Sequence, residues 1–342
     1  MNPFEFVDIG STDVEVTRLG LGGAPLSGMV LADGMFGGTE YDEALAIIRR
    51  AYDLGVLYFD TAPQYGSGRG EARYGAALKD MEREEITIST KVARLLVPED
   101  PGDTDPVGRE NLPRLKSRLD YSKDAIHRSL ESSLERLGVD EVDIVYLHDA
   151  DFAGQHPESD FAQGLEALSD LRSAGAIKAI GMGMNENEMT AAMLERFDLD
   201  VILLAGRYTL IDQSAIHTLL PLCQQKGTVV AIGGPYNSGI LAADDLDAPV
   251  SFDYEPAAER WVNKARQAKE ICGRWGVDTR AAALQFPFAH PSIATIVPGA
   301  ASVKELEENV ELIQREIPEG MWDELVNEEV IDISAPVPEP LW

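Results

Sequence analysis

Short runs of apolar residues, many of them β-branched, recur along the chain and alternate with stretches that have the periodicity of amphipathic helices. This alternation predicts βαβ units and a parallel sheet. Most runs are too apolar for a sheet with one face in water, so we expect both faces to be covered. The eight predicted strands are Leu19–Ala24, Leu57–Asp60, Ile86–Lys91, Val142–His148, Ile177–Gly183, Val201–Ala205, Thr228–Ile232 and Ile293–Pro298. Eight parallel strands that alternate with helices make an α/β fold of the (β/α)8 TIM barrel type.

The stretches between these runs are predicted as helices, and several of them end at a glycine. The clearest are Asp42–Leu54, Ser122–Leu137, Phe161–Ala174 and Gln213–Lys226, which are followed by Gly55, Gly138, Gly175 and Gly227. Glycine readily adopts the left-handed conformation that ends a helix, so these positions are suited to return the chain to the sheet. Ser122 is predicted to cap the helix that it begins.

The segment before the first barrel strand and two long loops predict how the barrel is closed and where its site lies. Phe6–Ile9 and Val14–Thr17 flank Gly10–Asp13, which predicts a β-hairpin at the barrel floor. The segments Arg94–Tyr121 and Asn237–Tyr254 exceed normal loop lengths. Both follow strands, so they are expected at the C-terminal face, where the active sites of such barrels lie.

The charge of the chain argues against two classes of binding partner and indicates the kind of organism from which the protein comes. Asp and Glu number 59 against 29 Lys and Arg, so the 342 residues carry a net charge of −30. Such a surface does not attract nucleic acid or an anionic membrane. Acidic, lysine-poor surfaces resemble those of proteins from salt-loving archaea; an acidic protein of a mesophile is the alternative. No linker divides the sequence, so residues 1–342 are predicted to form one domain.

The cysteines and the apolar segments predict a cytoplasmic protein. Cys223 and Cys272 do not make a disulfide framework, and they are predicted as buried thiols in a reducing compartment. The first residues, Met1–Gly10, lack the features of a signal peptide. The stretch Ala281–Ala301 has no charged residue, but its prolines divide it into a short helix and a strand, so we reject a membrane span.

Four polar side chains stand where three predicted strands end. Asp60 ends the second strand and Tyr65 follows it, Lys91 closes the third strand, and His148 closes the fourth. Each has a structural explanation when taken alone: a loop cap, an aromatic at the rim, a snorkelling lysine and a satisfied core histidine. Because the carboxyl ends of the strands meet at one face of a barrel, all four are predicted to converge there.

This combination suits hydride transfer to or from a carbonyl carbon, which needs a proton donor or acceptor at the oxygen. A tyrosine can serve if its pKa, normally about 10, is lowered. A buried lysine ammonium beside the phenol favours the phenolate, which makes Lys91 a suitable neighbour for Tyr65. Asp60 would keep Lys91 charged and aimed, and a neutral His148 can donate a hydrogen bond to the carbonyl oxygen.

The segments that carry these residues resemble the aldo-keto reductase superfamily over nearly the whole chain. Asp60-Thr-Ala, Tyr65-Gly, Ser89-Thr-Lys and Leu147-His match the catalytic tetrad of that family in type, order and context. More narrowly, the chain resembles the D-threo-aldose 1-dehydrogenase group, which includes L-fucose and L-galactose dehydrogenases and pyridoxal 4-dehydrogenase. The segments that carry this narrower resemblance are Tyr121–Ser122, Arg128–Gly138, Leu147–Asp149, Ala205–Leu210 and Tyr236–Leu241.

The resemblance also implies a site for a nicotinamide cofactor on the loops that follow the later strands. The residues assigned to it are Asn185, Ser238, Gly239, Gly299, Ala300, Ser302, Glu305 and Asn309. The glutamine and the stacking tyrosine that are usual after strands six and seven have no clear match here. In related reductases a Lys-Ser pair and an arginine hold the 2′-phosphate of NADP, and these positions are Gly299, Ala300 and Glu305 in this chain. NAD is therefore predicted as the cofactor, with NADP as the alternative.

These inferences predict an enzyme that oxidises a sugar at C1 to a lactone with NAD. An NADPH-dependent reductase of aldehydes or ketones is the alternative. Two more remote possibilities are a non-catalytic barrel that binds a cofactor and a metal-dependent hydrolase. The hydrolase would use His148, Asp149, Asp60 and Lys91, but these residues lack a clear metal-ligand pattern, so no metal is predicted.

Overall fold

The computed structural model describes residues 1–29, 38–100, 108–148 and 158–338 of the chain. Its strands are β1 Phe6–Asp8, β2 Glu15–Thr17, β3 Gly20–Gly22, β4 Tyr58–Asp60, β5 Thr87–Val92, β6 Arg94–Pro98, β7 Leu115–Leu119, β8 Ile144–His148, β9 Ala179–Met184, β10 Val201–Ala205, β11 Val229–Gly233, β12 Ser251–Phe252, β13 Glu255–Pro256 and β14 Ile293–Val297. Its helices are α1 Tyr41–Leu54, α2 Arg69–Leu78, α3 Lys123–Leu137, α4 Glu158–Ser173, α5 Glu188–Arg196, α6 Leu219–Lys226, α7 Glu259–Arg274, α8 Thr279–Gln285, α9 Val303–Leu312 and α10 Glu319–Asn327.

A parallel sheet in the order β14-β11-β10-β9-β8-β5-β4-β3 forms the centre of the protein. The two outer strands of this order are joined by backbone hydrogen bonds. The N–H of Gly22 donates to the carbonyl of Pro298 at 2.9 Å, and the N–H of Ile296 donates to the carbonyl of Arg18 at 3.0 Å. The sheet therefore closes on itself, and the (β/α)8 barrel and its eight strands are confirmed, with small displacements at the strand ends.

The hairpin of β1 and β2 closes the end of the barrel where the strands begin. Ile9, Val14 and Val16 are buried in one cluster with inward-facing strand residues such as Tyr58 and Val201. The predicted plug at the barrel floor is confirmed. Since the floor is filled by apolar side chains, the polar site predicted at the strand ends lies at the opposite face.

Helices pack on the outside of the sheet and bury their apolar faces against it. The glycines predicted to end helices all have positive φ angles: Gly55 at 88°, Gly138 at 66°, Gly175 at 73° and Gly227 at 74°. The predicted cap at Ser122 is also present, because its hydroxyl accepts the N–H of Ala125 at 3.3 Å. None of the described helices is both long enough and apolar enough to cross a membrane.

One predicted helix and two predicted loops differ from the structure. Gln213–Lys226 is not a single helix, because a 3-10 turn at Ser214–His217 precedes α6. Pro221 explains the break: it has no N–H to donate, so it is tolerated only in the first turn of a helix that restarts near it. The two long loops contain hairpins of their own, β6–β7 and β12–β13.

Candidate active site

A buried ion pair lies where β4 and β5 end. The ammonium of Lys91 donates to both carboxylate oxygens of Asp60, at 2.9 and 2.7 Å, and to the carbonyl of Thr61 at 2.8 Å. Lys91 is 1% exposed and Asp60 is 3% exposed. The three N–H bonds of the ammonium each have an acceptor, which is what a buried charge needs. A positive charge is thus held at a fixed place below the mouth of the barrel.

Tyr65 lies over this pair and beside His148. The ammonium of Lys91 is 4.8 Å from the centroid of the Tyr65 ring. The ring of buried His148 is 5.9 Å from that of Tyr65, at an interplanar angle of 89°. Gly70 at the start of α2 permits this placement, because a Cβ there would lie 3.2 Å from the carbonyl oxygen of Tyr65. The structure therefore brings the four predicted residues together.

A second polar layer lies one step deeper in the barrel. The hydroxyl of Ser89 donates to Asp60 Oδ1 at 2.7 Å, and it lies 3.1 Å from the hydroxyl of Tyr58. The hydroxyl of Tyr58 is in turn 3.0 Å from that of Tyr146. These three residues were not predicted as part of the site. They are connected to it through the Asp60 carboxylate.

The N-terminus of α9, where the phosphate side of the cofactor was predicted, is covered by carboxylates. Ser302 caps the helix by accepting the N–H of Glu305 at 3.2 Å, and Glu305 accepts the N–H of Ala301 at 2.8 Å. Glu43 on α1 accepts the N–H of Val303 at 3.1 Å. Backbone N–H groups at a helix start bind anions well, and here side-chain anions hold some of them.

Two other assigned residues are asparagines, one after a strand and one on α9. Asn185 follows β9 and is half-buried. Asn309 on α9 is buried, and its Oδ1 accepts the hydroxyl of Tyr236 at 2.6 Å. Because Oδ1 accepts this hydrogen bond, the NH2 group of Asn309 can donate to another partner.

The turn after β11 includes Ser238 and Gly239, both with positive φ, at 57° and 92°. The hydroxyl of Ser238 accepts the N–H of Tyr254, which ties this turn to the β12–β13 hairpin. Gly299 and Ala300 follow β14, and Ala300 is buried. A Cβ at Gly234 would have no described atom within 4 Å.

Comparison with known proteins assigns the chain to a family. The sequence profile described as the Aldo/keto reductase family matches residues 18–327. The chain belongs to this family. Its members are oxidoreductases that use nicotinamide cofactors, and the superfamily predicted from the tetrad motifs is confirmed.

Two relatives and one solved structure illustrate the similarity. The chain is 37% identical over 339 residues to pyridoxal 4-dehydrogenase of Microbacterium luteolum, with 94% of this chain and 97% of that protein covered. It is 34% identical to D-threo-aldose 1-dehydrogenase of a Pseudomonas species, with 87% and 91% covered. The holo form of an aldo-keto reductase from Bacillus halodurans has the same fold, with a TM-score of 0.74, 24% identity and 98% of each chain covered.

Arg73 on α2 joins two loop segments that follow barrel strands, and no sequence pattern predicted this role. Its Nη1 donates to the carbonyls of Leu26 at 2.8 Å and Thr39 at 2.7 Å, in the segment that follows β3. Its Nε donates to Glu110 at 2.7 Å, in the segment that follows β5. The Arg73 and Glu110 side chains are 7% and 4% exposed, so this ion pair is buried. Arginine has enough donors to join several loop segments at once.

The metal-dependent hydrolase proposed as an alternative finds no support in the described part of the chain. Asp149, one of its four residues, lies outside the described residues. Within the described ranges no group of three or more His, Cys, Asp or Glu side chains is arranged to hold a metal ion. The carboxylate of Asp60, which that alternative needed as a ligand, accepts two hydrogen bonds from Lys91.

Proposed function

We propose that this enzyme oxidises a cyclic hemiacetal, such as an aldose in its ring form, to a lactone, with NAD as the hydride acceptor. The observation that supports this most strongly is the buried Lys91–Asp60 pair beneath the ring of Tyr65. A fixed ammonium in a site of low dielectric favours the phenolate form of a neighbouring tyrosine. A phenolate is the form that can accept a proton.

Each of the four side chains has a distinct part in this reaction. As the C1–H bond breaks, the hydroxyl on C1 gives its proton to the oxygen of Tyr65 and the C1=O bond of the lactone forms. Bound NAD supplies the carbon that accepts the hydride. Lys91 stabilises the phenolate before the transfer, and Asp60 keeps Lys91 charged and in place. His148 borders the same space and orients the substrate oxygen by a hydrogen bond.

The residues around α9 support NAD rather than NADP. Glu43 and Glu305 place two negative charges at the helix start, where related reductases bind a 2′-phosphate. A third anionic group there would be repelled. Two cations on or beside α9, Lys304 and Arg280, both lie against the carboxylate of Glu308, at 3.5 and 2.8 Å. A carboxylate in this place can instead accept hydrogen bonds from the ribose hydroxyls of NAD.

In this proposal, different residues of the assigned set contact different parts of the cofactor. Asn185 would hold the carboxamide, and the turn at Ser238 and Gly239 would meet the pyrophosphate. Gly299, Ala300, Ser302, Glu305 and Asn309 would surround the adenosine.

The names of the relatives support the class of substrate. One is an aldose 1-dehydrogenase and the other a pyridoxal 4-dehydrogenase. Aldoses and pyridoxal are both aldehydes with a hydroxyl group placed to close a ring, so both form cyclic hemiacetals. Oxidation of either hemiacetal gives a lactone, and one arrangement of proton acceptor and hydride acceptor serves both.

The test of this proposal is substitution of the proton acceptor. The enzyme is assayed with NAD and a panel of aldoses and pyridoxal, and lactone formation is followed with cofactor absorbance. Tyr65→Phe should lower kcat by at least about 10²-fold, the usual contribution of a general acid–base group. The Kd for NAD should stay nearly unchanged, because the ring remains. A Phe variant with near-normal kcat would remove Tyr65 from the mechanism.

We also infer that the enzyme works in a salt-rich cytoplasm. The support is the net charge of −30 in 342 residues and the scarcity of lysine. Buried Cys223 and Cys272 are free thiols, which a reducing compartment preserves. Burial raises the pKa of Cys223 to about 12 and that of Cys272 to about 11, so neither is a reactive thiolate.

A further inference from the structure

Three strands of the barrel carry a hydroxyl two residues before a member of the proposed tetrad. Tyr58 precedes Asp60 on β4, Ser89 precedes Lys91 on β5, and Tyr146 precedes His148 on β8. Residues two apart on a strand face the same side, so the three hydroxyls form the layer directly below the tetrad. Tyr58, Ser89 and Tyr146 have no exposed surface.

The hydrogen bonds between these groups can run in only one direction. The Asp60 carboxylate accepts, so the one proton of Ser89 is donated to it. Tyr58 must then donate to Ser89, and Tyr146 must donate to Tyr58, because each hydroxyl has a single proton. Tyr146, Tyr58 and Ser89 thus form a hydroxyl chain whose dipoles all point toward Asp60. Aligned hydrogen bonds in a buried site strengthen one another.

We propose that this hydroxyl chain is a positioning device that lowers the pH at which Tyr65 ionises. The inference rests on the proposed function of Tyr65 as the proton acceptor. The chain disperses part of the negative charge of Asp60, which leaves more of the positive charge of Lys91 to act on the phenol. Without the chain, Asp60 cancels more of that field and the phenolate of Tyr65 is less favoured.

The surroundings of the site support this assignment. Among the described residues, the titratable and charged side chains seen to lie near Asp60 or Tyr65 are Tyr58, Tyr146, Lys91, His148 and Tyr74. Glu71 and Arg136 form an ion pair with each other. Burial, reinforced by the charge of Asp60, raises the pKa of Tyr58 above its ordinary value. Burial likewise raises the pKa of Tyr146. Both hydroxyls therefore stay protonated and keep donating through the working pH range.

Tyr74 supplies a matched control. It is also a fully buried tyrosine near the site, but its hydroxyl donates to the carbonyl of Leu21 at 3.0 Å and is not part of the hydroxyl chain. Tyr74→Phe removes one buried hydroxyl, just as Tyr58→Phe and Tyr146→Phe do. Only the latter two interrupt the donation toward Asp60.

The experiment measures kcat/KM for hemiacetal oxidation against pH in Ser89→Ala, Tyr58→Phe, Tyr146→Phe and Tyr74→Phe. The part of the profile in which kcat/KM rises with pH should move to higher pH. The expected displacement is roughly half to one pH unit when a donor near Asp60 is lost. The shift should be largest for Ser89→Ala and smallest for Tyr146→Phe. At a fixed pH in this part of the profile, activity should fall about three- to tenfold and recover as the pH is raised. Tyr74→Phe should leave this part of the profile in place.

A second readout does not depend on turnover. Tyrosine labelled at Cζ reports ionisation of Tyr65 by NMR in the protein without substrate, with Tyr65→Phe identifying the signal. If Tyr58→Phe does not fold, the Tyr146 variant carries the same test. A loss of activity that is equal at every pH, with an unmoved Tyr65 titration, would overturn the inference and leave the proposed function standing. A wild-type enzyme that is inactive on hemiacetals would overturn the proposed function. The NMR titration would still show whether the hydroxyl chain changes the pH at which Tyr65 ionises.

Discussion

At the start of α9, single side chains determine what the backbone can bind. Glu305 accepts the N–H of Ala301, and Glu43 accepts the N–H of Val303. Glu305→Arg replaces a repelling charge by one that can bind a 2′-phosphate in a bidentate manner. We expect the ratio of kcat/KM with NADP to that with NAD to rise by about tenfold or more, or roughly 1.4 kcal/mol.

The control for this change lies on the same helix. Glu311→Arg makes the same change of charge near the other end of α9, and it should leave the cofactor ratio nearly unaltered. Glu43→Gln should move the ratio in the same direction as Glu305→Arg, but less, because it removes a charge without adding one. A wild-type preference for NADP of tenfold or more, with one sugar as substrate, would contradict the assignment of Glu305.

The site was only partly predictable from the sequence. Lys91 and His148 attract notice because they close apolar strands, where packing alone favours neither. Tyr58 and Tyr146 do not, because a buried tyrosine is an ordinary core residue. The signal that would have found them is the alternation of the strand: they stand two residues before Asp60 and His148 and share their face. The contacts of Glu43 and Arg73 join distant segments, and no local pattern encodes them.

Through Arg73, helix α2 links the segment after β3 with the segment between β6 and β7. Arg73→Met removes a donor from the carbonyls of Leu26 and Thr39 and leaves Glu110 buried without its partner. We expect the free energy of unfolding to fall by about 3–5 kcal/mol, the usual cost of breaking a buried ion pair. KM for the sugar should rise several-fold, while the Kd for NAD stays nearly unchanged, because the cofactor residues lie on other loops.

The double variant Arg73→Met with Glu110→Met separates the two effects. It removes the uncompensated carboxylate, so much of the lost stability should return in denaturant titrations. The carbonyls of the segment after β3 still lack their donor, so KM should stay high. If the double variant restores KM as well, the segment after β3 does not depend on Arg73.

The broken helix before β11 shows where prediction from periodicity fails. The sequence predicts one helix over Gln213–Lys226, but Pro221 within this range cannot continue a helix that began before it. In the structure Pro221 is the third residue of α6, in the first turn, where no intrahelical N–H donor is needed. The eight strands were easier to predict, because strands buried on both faces leave continuous apolar runs.

The entire protein carries a net charge of −30, and this excess acts against the compact state. Exposed ion pairs such as Lys123–Asp170 offset little of it, because water and salt screen the attraction between their charges. The Debye length shortens from about 10 Å at 0.1 M salt to about 3 Å at 1 M, so added salt screens the repulsion. We expect the melting temperature to rise by several degrees between ~0.1 M and ~2 M KCl.

Thermal unfolding followed by circular dichroism at a series of KCl concentrations checks this expectation. Salt also weakens the exposed ion pairs, which by itself would lower the melting temperature. Whether the melting temperature rises or falls with KCl concentration therefore shows which is larger, the relief of repulsion or the loss of ion pairs. A flat or falling response would remove the inference of a salt-rich environment and leave the enzymatic proposal untouched.

The floor hairpin has a consequence for the order in which the chain assembles. The hydroxyl of Thr295 donates to the carbonyl of Thr17 at 2.8 Å, across a separation of 278 residues. Ile9, Val14 and Val16 share their cluster with Val297. A ribosome that adds about 5–20 residues per second makes β14 roughly 14–56 s after the hairpin. For that interval the apolar side of the nascent hairpin has no closed barrel to enter. The hairpin is therefore synthesised well before β14 but is among the last elements to reach its native neighbours.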